Sequence, residues 1–138
     1  MARYDQFAGT YLLDLPVHNY TGSTLAEGVA GILDTTNTAS SNLDPGVTLP
    51  ASDAKTIGFL PSAIPAGKSG VVRVQGVSVA IPTVGVTFAP GDPLMSDSSG
   101  FVKAQTAGLY QCGIAWTGVT TAVATDRVLV LVERAKNA

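Results

Sequence analysis

Thr24-Leu-Ala-Glu-Gly-Val-Ala-Gly-Ile-Leu-Asp34 returns 63 positions later as Thr87-Phe-Ala-Pro-Gly-Asp-Pro-Leu-Met-Ser-Asp97. Thr, Ala, Gly and Asp coincide, and Leu25 is matched by Phe88. Taken alone, the first copy is ambiguous, because Thr24-x-x-Glu27 has the form of a helix capping box. Gly28 and Gly31 would each weaken such a helix by about 1 kcal/mol. The second copy decides the matter: Pro90 and Pro93 fall where a helix interior would have to run. Both copies read as a turn followed by a short strand, and the fold class as all-β.

A second echo follows each copy in the same order. Ile57-Gly-Phe-Leu leads past a small-residue loop into Val71-Val-Arg-Val, and Cys112-Gly-Ile-Ala leads into Arg127-Val-Leu-Val-Leu-Val132. Two such β units would each leave an open edge and an apolar face, and pairing them covers both in one barrel or sandwich. The pseudo-repeats run over about residues 20–79 and 84–133, inside a single β domain of residues 17–138. Residues 1–16 fall outside the pattern and read as an extended N-terminal arm. From Asp34 to Ile57 is 23 positions against 15 from Asp97 to Cys112, so the first unit carries eight extra residues. They lie in the polar stretch Thr35 to Lys55, which reads as a loop long enough to be functional.

Strands are expected at 11–15, 56–60, 70–79 with a bend at Gly76, 84–88, 94–96, 101–104, 111–116 and 127–133. Ser98-Ser-Gly100 supplies a hairpin turn. The closing strand, Val128-Leu-Val-Leu-Val132, is continuously apolar between charged ends. Such a run is expected to be buried on both faces, inside the fold or against a partner.

Composition agrees. Of 138 residues 46% are hydrophobic but only 13% charged, about half the usual charged share, which leaves a surface poorly supplied with the ions that keep monomers apart. The formal charge of −2 and the scattered Lys and Arg argue against direct nucleic-acid binding. No stretch approaches the ~20 apolar residues of a membrane helix. The opening Met-Ala-Arg-Tyr-Asp-Gln-Phe7 lacks the apolar run of a secretory signal. The single Cys112, among apolar neighbours, reads as a buried thiol of a protein made in a reducing compartment.

Side chains suited to chemistry are few. Gly67-Lys-Ser69 has the end of a phosphate-binding loop, but Ser62 stands where its first glycine belongs and a strand follows, so it reads as a hairpin turn. His18 is the only histidine, which leaves no multi-histidine metal site and no motif for a triad. Nothing in the sequence places His18 beside Cys112 as a nucleophile pair. Asp92 and Asp97 have the oxygens for a cation but not the spacing of a calcium loop, and turn capping suits them better. The formal sequon Asn19-Tyr-Thr21 means little without a secretory signal. Neither catalytic residues nor a cofactor is expected. Trp116 reads as a core or rim anchor. Tyr4, Phe7 and Tyr11, with Arg3, form either a first strand tucked into the domain or an arm that docks elsewhere, since aromatics and Arg dominate interface hot spots.

The stretches Gly70-Val-Val-Arg-Val-Gln-Gly-Val-Ser-Val79 and Phe88-Ala-Pro-Gly-Asp-Pro-Leu-Met-Ser-Asp-Ser-Ser-Gly-Phe-Val102, then Cys112-Gly-Ile-Ala-Trp116 and Asp126-Arg-Val-Leu-Val-Leu-Val132, together resemble the capsid decoration (cement) proteins of tailed bacteriophages. The resemblance covers about residues 17–133, with Ile57-Gly58 and Ala66-Gly67 also fitting. It implies a barrel-like subunit that forms a homotrimer on the outer surface of the phage head, bridges major capsid proteins and has no catalytic residues. The location implied is the virion, after synthesis in the host cytoplasm.

On that reading Arg3, Tyr4, Phe7 and Tyr11 are the expected capsid contacts. Asn42, Leu43, Asp44 and Pro45, at the tip of the long loop, are expected to make contact or to be displayed outward. Two other readings stay open on the residues: a small tail or head–tail connector protein, and a small-molecule-binding β domain whose pocket is made by Trp116 and the loop.

Overall fold

The structure is a computed structural model that describes residues 12–36, 44–51 and 54–133, and the backbone of 135–136. Among the described residues eleven strands follow in chain order: β1 (Leu13–His18), β2 (Ala30–Leu33), β3 (Val47–Thr48), β4 (Gly58–Phe59), β5 (Ser69–Ala80), β6 (Pro93–Ser96), β7 (Val102–Ala104), β8 (Tyr110–Gln111), β9 (Gly113–Ala115), β10 (Val128–Val132) and β11 (Ala135–Lys136). No helix occurs among the described residues. Nine strands make one sheet in the order β3-β2-β4-β5-β10-β9-β6-β7, with β1 also on β5; β8 and β11 form a separate pair. The path does not return on itself, so the sheet closes no barrel.

The turn before β2 and the turn before β6 are the same turn. Val29 N–H donates to Ala26 O, as Asp92 N–H does to Ala89 O. Gly28 and Gly91 have φ of 89° and 91°, a left-handed conformation that glycine adopts without steric cost. Gly28 N–H then donates to Leu60 O at 2.8 Å and Gly91 N–H to Ala115 O at 2.7 Å. Leu25 exchanges two backbone hydrogen bonds with Ile64, and Phe88 exchanges two with Val119. The β2–β4 register, Ala30 opposite Phe59 and Gly31 opposite Gly58, recurs in β6–β9 as Pro93 opposite Ile114 and Leu94 opposite Gly113.

The correspondence reaches further back than the sequence repeat. Asp14 and Leu15 of β1 face Arg73 and Val72 of β5, just as Val77 and Ser78 of β5 face Leu131 and Val130 of β10. The twelve-residue β5 therefore closes the first half with its N-terminal part and opens the second half with its C-terminal part. The two parts meet at Gly76, where φ is 99°. Strand β1 extends into the segment read as arm as far as Leu13.

The eight additional residues can be placed within one loop. Asp34 N–H donates to Gly46 O, and its counterpart Asp97 N–H donates to Phe101 O, both at 2.8 Å. Those closures span twelve positions and four, whereas Gly46 to Ile57 and Phe101 to Cys112 are equal. All the excess lies between Asp34 and Gly46.

Two expectations are corrected. Residues 84–88 are not a strand: Val84 and Gly85 form a turn, with Gly85 at φ 88°, and only Phe88 makes a bridge, to Val119. The stretch from Thr35 to Lys55 is not all loop, because Val47–Thr48 is β3 and pairs with β2. For strand β10 the chain itself covers one face: Val128, Val130 and Val132 are buried, while Leu129 and Leu131 between them are half-exposed.

Each half has its own core. In the first, Val17, Leu25, Val47, Leu60, Ile64 and Val72 cluster with Ile81 from beyond the junction. In the second, Phe88, Leu94, Val102, Cys112, Ala115 and Val130 cluster, and Ala30 and Phe59 of the first half join them. Phe59 is fully buried there. Burying a side chain of that size contributes roughly 1.5–3 kcal/mol, so this contact helps to hold the halves together.

Candidate functional site

Arg3, Tyr4, Phe7, Tyr11, Asn42 and Leu43 lie outside the described residues. Asp44 and Pro45 are described, and they tie the end of the long loop to the sheet. Tyr20 Oη donates to Asp44 O at 3.2 Å, and His18 N–H donates to Pro45 O at 2.9 Å. Pro45 is exposed and lines an apolar groove of about 220 Å³ with Leu15, Leu33, Ile57, Val72 and Val74.

A second hollow, of about 400 Å³, lies on the other half between Pro90, Ile114, Trp116 and Leu131. Trp116 is 50% exposed and sits on its rim. The described end of the loop and Trp116 thus line separate hollows, and the structure does not bring them into one pocket. Both hollows are mainly apolar, a character suited to covering by another apolar surface.

The reactive side chains have structural employment. His18 Nδ1 lies 2.9 Å from Ser69 Oγ, and its ring packs against Tyr20 with centroids 4.3 Å apart. Cys112 is buried, and burial pushes its thiol up to about 12, which leaves it protonated and poorly nucleophilic. Asp92 Oδ2 accepts from Ala89 N–H, and Asp97 Oδ1 accepts from Ser99 and Phe101 N–H, so both aspartates cap turns. The end of the Gly67-Lys-Ser69 segment runs into β5, as its reading as a hairpin turn requires. Asn19, of the formal sequon, is fully buried and donates through Nδ2 to Ser23 O and Ile64 O. Among the described residues no cluster of three His, Cys, Asp or Glu side chains could hold a metal ion. No helix among them is long and apolar enough to cross a membrane.

The two grooves were not legible in the sequence. Leu15 and Leu33 are both apolar residues of strands, and their exposure shows that nothing in the described chain covers them.

With this geometry in hand, comparison with known proteins is specific. A model of the phage cement protein family matches residues 26–132, from the first turn to the end of β10. The chain belongs to that family, and it is a phage structural protein. Its fold is similar to that of the head fiber gp8.5 N base of bacteriophage phi29, with a TM-score of 0.64 at 12% identity over 91% of this chain and 99% of that one. No curated protein sequence matches the chain.

Proposed function

We propose that this protein decorates the outer surface of the phage head as a homotrimer and stabilises contacts between major capsid proteins. The observation that carries the reading is the family match, which runs through both halves of the fold. The mechanism is binding alone. A protein that binds the assembled shell in preference to free subunits stabilises it by mass action. A trimer engages several sites at once, so modest contacts per chain give high avidity.

The capsid contacts fall to Arg3, Tyr4, Phe7 and Tyr11 in the segment that leads into β1. An extended segment can add to an exposed strand edge of a neighbouring protein, with aromatic side chains as anchors. Asn42, Leu43, Asp44 and Pro45 extend the contact or are displayed outward. Synthesis takes place in the host cytoplasm, and the site of action is the virion.

The test is decoration of heads that lack the protein, read by electron microscopy. The full chain is expected to decorate them and to raise the temperature at which they release DNA. A form lacking residues 2–10 should stay folded and self-associated but leave the heads bare. Full decoration by that form would remove the N-terminal segment from the contact.

A further inference from the structure

The two halves of this chain pack head to tail, and the described residues leave each end of that stack open. Within the chain, Ala30 and Phe59 on one face of the first half enter the core of the second half, and both are fully buried. Their register counterparts on the second half are Pro93 and Ile114. Pro93 is exposed and Ile114 half-exposed, beside Trp116 and Leu131.

The complementary face shows the reverse. In the second half Ser78, Ser96, Cys112 and Val132 are buried. Their counterparts in the first half are Leu15, Leu33, Ile57 and Val74. Of these Leu15 is 44% and Leu33 48% exposed, while Ile57 and Val74 are half-buried around the apolar groove.

We infer that these two surfaces are the halves of one interface between copies of this chain. The Ile114–Trp116 face of one copy seats in the Leu15–Leu33 groove of the next, and so repeats between chains the packing already made within each chain. The sizes are reciprocal. Where the second half offers Ser78, Ser96 and Cys112, it receives the large Phe59. Where the first half offers the larger Leu15, Leu33 and Ile57, the side chain proposed to meet them is the smaller Ile114. The polarity fits too, since the Asp14–Arg73 pair beside Phe59 is replaced by Val77 and Leu131 beside Ile114. The continuously apolar run of β10, half-covered in one chain, is covered on both faces once a second copy is seated.

A contact of this kind joins unlike surfaces, so it builds a closed ring if the rotation between copies closes and a filament if it does not. It gives the trimer of the proposed function its contact surface. It is tested on purified protein without heads, so its failure and a failure of the decoration reading are separately visible.

The experiment measures the mass of the full chain in solution by light scattering. Trp116→Asp and Leu33→Asp alter opposite faces at side chains about half exposed, with circular dichroism to verify folding. The wild type is expected to be oligomeric and each variant monomeric. An equal mixture of the two should give a dimer and nothing larger, because only one intact face and one intact groove remain to meet. A monomeric wild type, a variant that keeps the wild-type mass, or a mixture that stays monomeric overturns the inference. So does a form lacking residues 2–10 that falls to a monomer, which would assign the groove to the N-terminal segment.

Discussion

Asp34 and Asp97, 63 positions apart, close the same turn: the Oδ1 of each accepts a hydrogen bond from the backbone N–H two residues on, Thr36 at 2.9 Å and Ser99 at 2.8 Å. The Oδ1 of Asp97 also accepts from Phe101 N–H, and its Oδ2 accepts from Thr83 Oγ1 at 2.7 Å. It thus holds the β6–β7 hairpin to the turn that follows β5. Asp97→Ala is expected to lower stability by about 1–3 kcal/mol, because it leaves partly buried donors without their acceptor. Asp97→Asn keeps one carbonyl oxygen and should cost less. Urea denaturation of the two variants measures the difference.

Cys112 gives the protein a weakness at high pH. Its thiol is pushed up to about 12 by burial, against about 9 for a free cysteine. The unfolded chain therefore loses this proton first, and protons bound only by the folded state make stability fall as pH rises. No contribution is expected below pH 8. Between about 9 and 12 the wild type should lose stability faster than Cys112→Ala, by up to roughly 1.4 kcal/mol per pH unit. Below pH 8 the ranking reverses, because the alanine leaves a small void in the core. Thiol reagents should label Cys112 only upon unfolding.

The legible part of this fold was the part where glycine and proline dictate backbone shape. Pro90 and Pro93 excluded a helix in the second copy and, through it, in the first. The position of the extra loop could be bounded by counting. The counterpart of β1 could not be read, since Leu15 and Val17 correspond to Ser78 and Ala80 with no likeness in type. What the two stretches share is a hydrogen-bond register; Leu15 is exposed where its counterpart Ser78 is buried, so the two positions carry unlike side chains. The alternation Val84, Val86, Phe88 has a strand's period, yet Gly85 turns the chain. Strand β3 is two residues between Gly46 and Pro50, too short for any period to show. The aromatic residues proposed for the capsid contact are legible as a cluster in the sequence, and they lie outside the described residues.

Arg73 and Asp14 pin β1 to β5. The guanidinium holds the carboxylate with two donors, Nε to Oδ1 at 2.8 Å and Nη2 to Oδ2 at 3.0 Å. Nη1 also donates to Val77 O at 3.2 Å, across the bend at Gly76. The pair is partly exposed, so its worth is on the order of 1 kcal/mol, at the upper end for surface pairs because the geometry is bidentate. Arg73→Lys, which has no planar fork, should lose most of it. Arg73→Ala should cost more than Asp14→Ala, since it also frees the Val77 carbonyl. Melting temperatures in low salt and in 1 M salt test this, and the gap between wild type and Asp14→Ala should narrow in high salt.

The loop between Asp34 and Gly46 is an addition to a frame that closes without it. The two halves share the aspartate cap at one end, and Gly46 and Phe101 accept equivalent hydrogen bonds at the other. Replacing residues 35–45 with Ser-Ser-Gly, the turn that follows Asp97, removes eight residues and is expected to leave a folded protein. Shortening a loop lowers its closure entropy, which offsets the loss of the Tyr20–Asp44 and His18–Pro45 hydrogen bonds. The melting temperature should therefore shift by only a few degrees. Head decoration separates the two roles proposed for Asn42, Leu43, Asp44 and Pro45. Because Pro45 also lines the groove proposed for self-association, a shortened form that keeps its oligomeric mass but no longer decorates heads assigns the loop to the capsid contact, and one that decorates fully assigns it to outward display. A shortened form that does not fold would contradict the equivalence of the two turns.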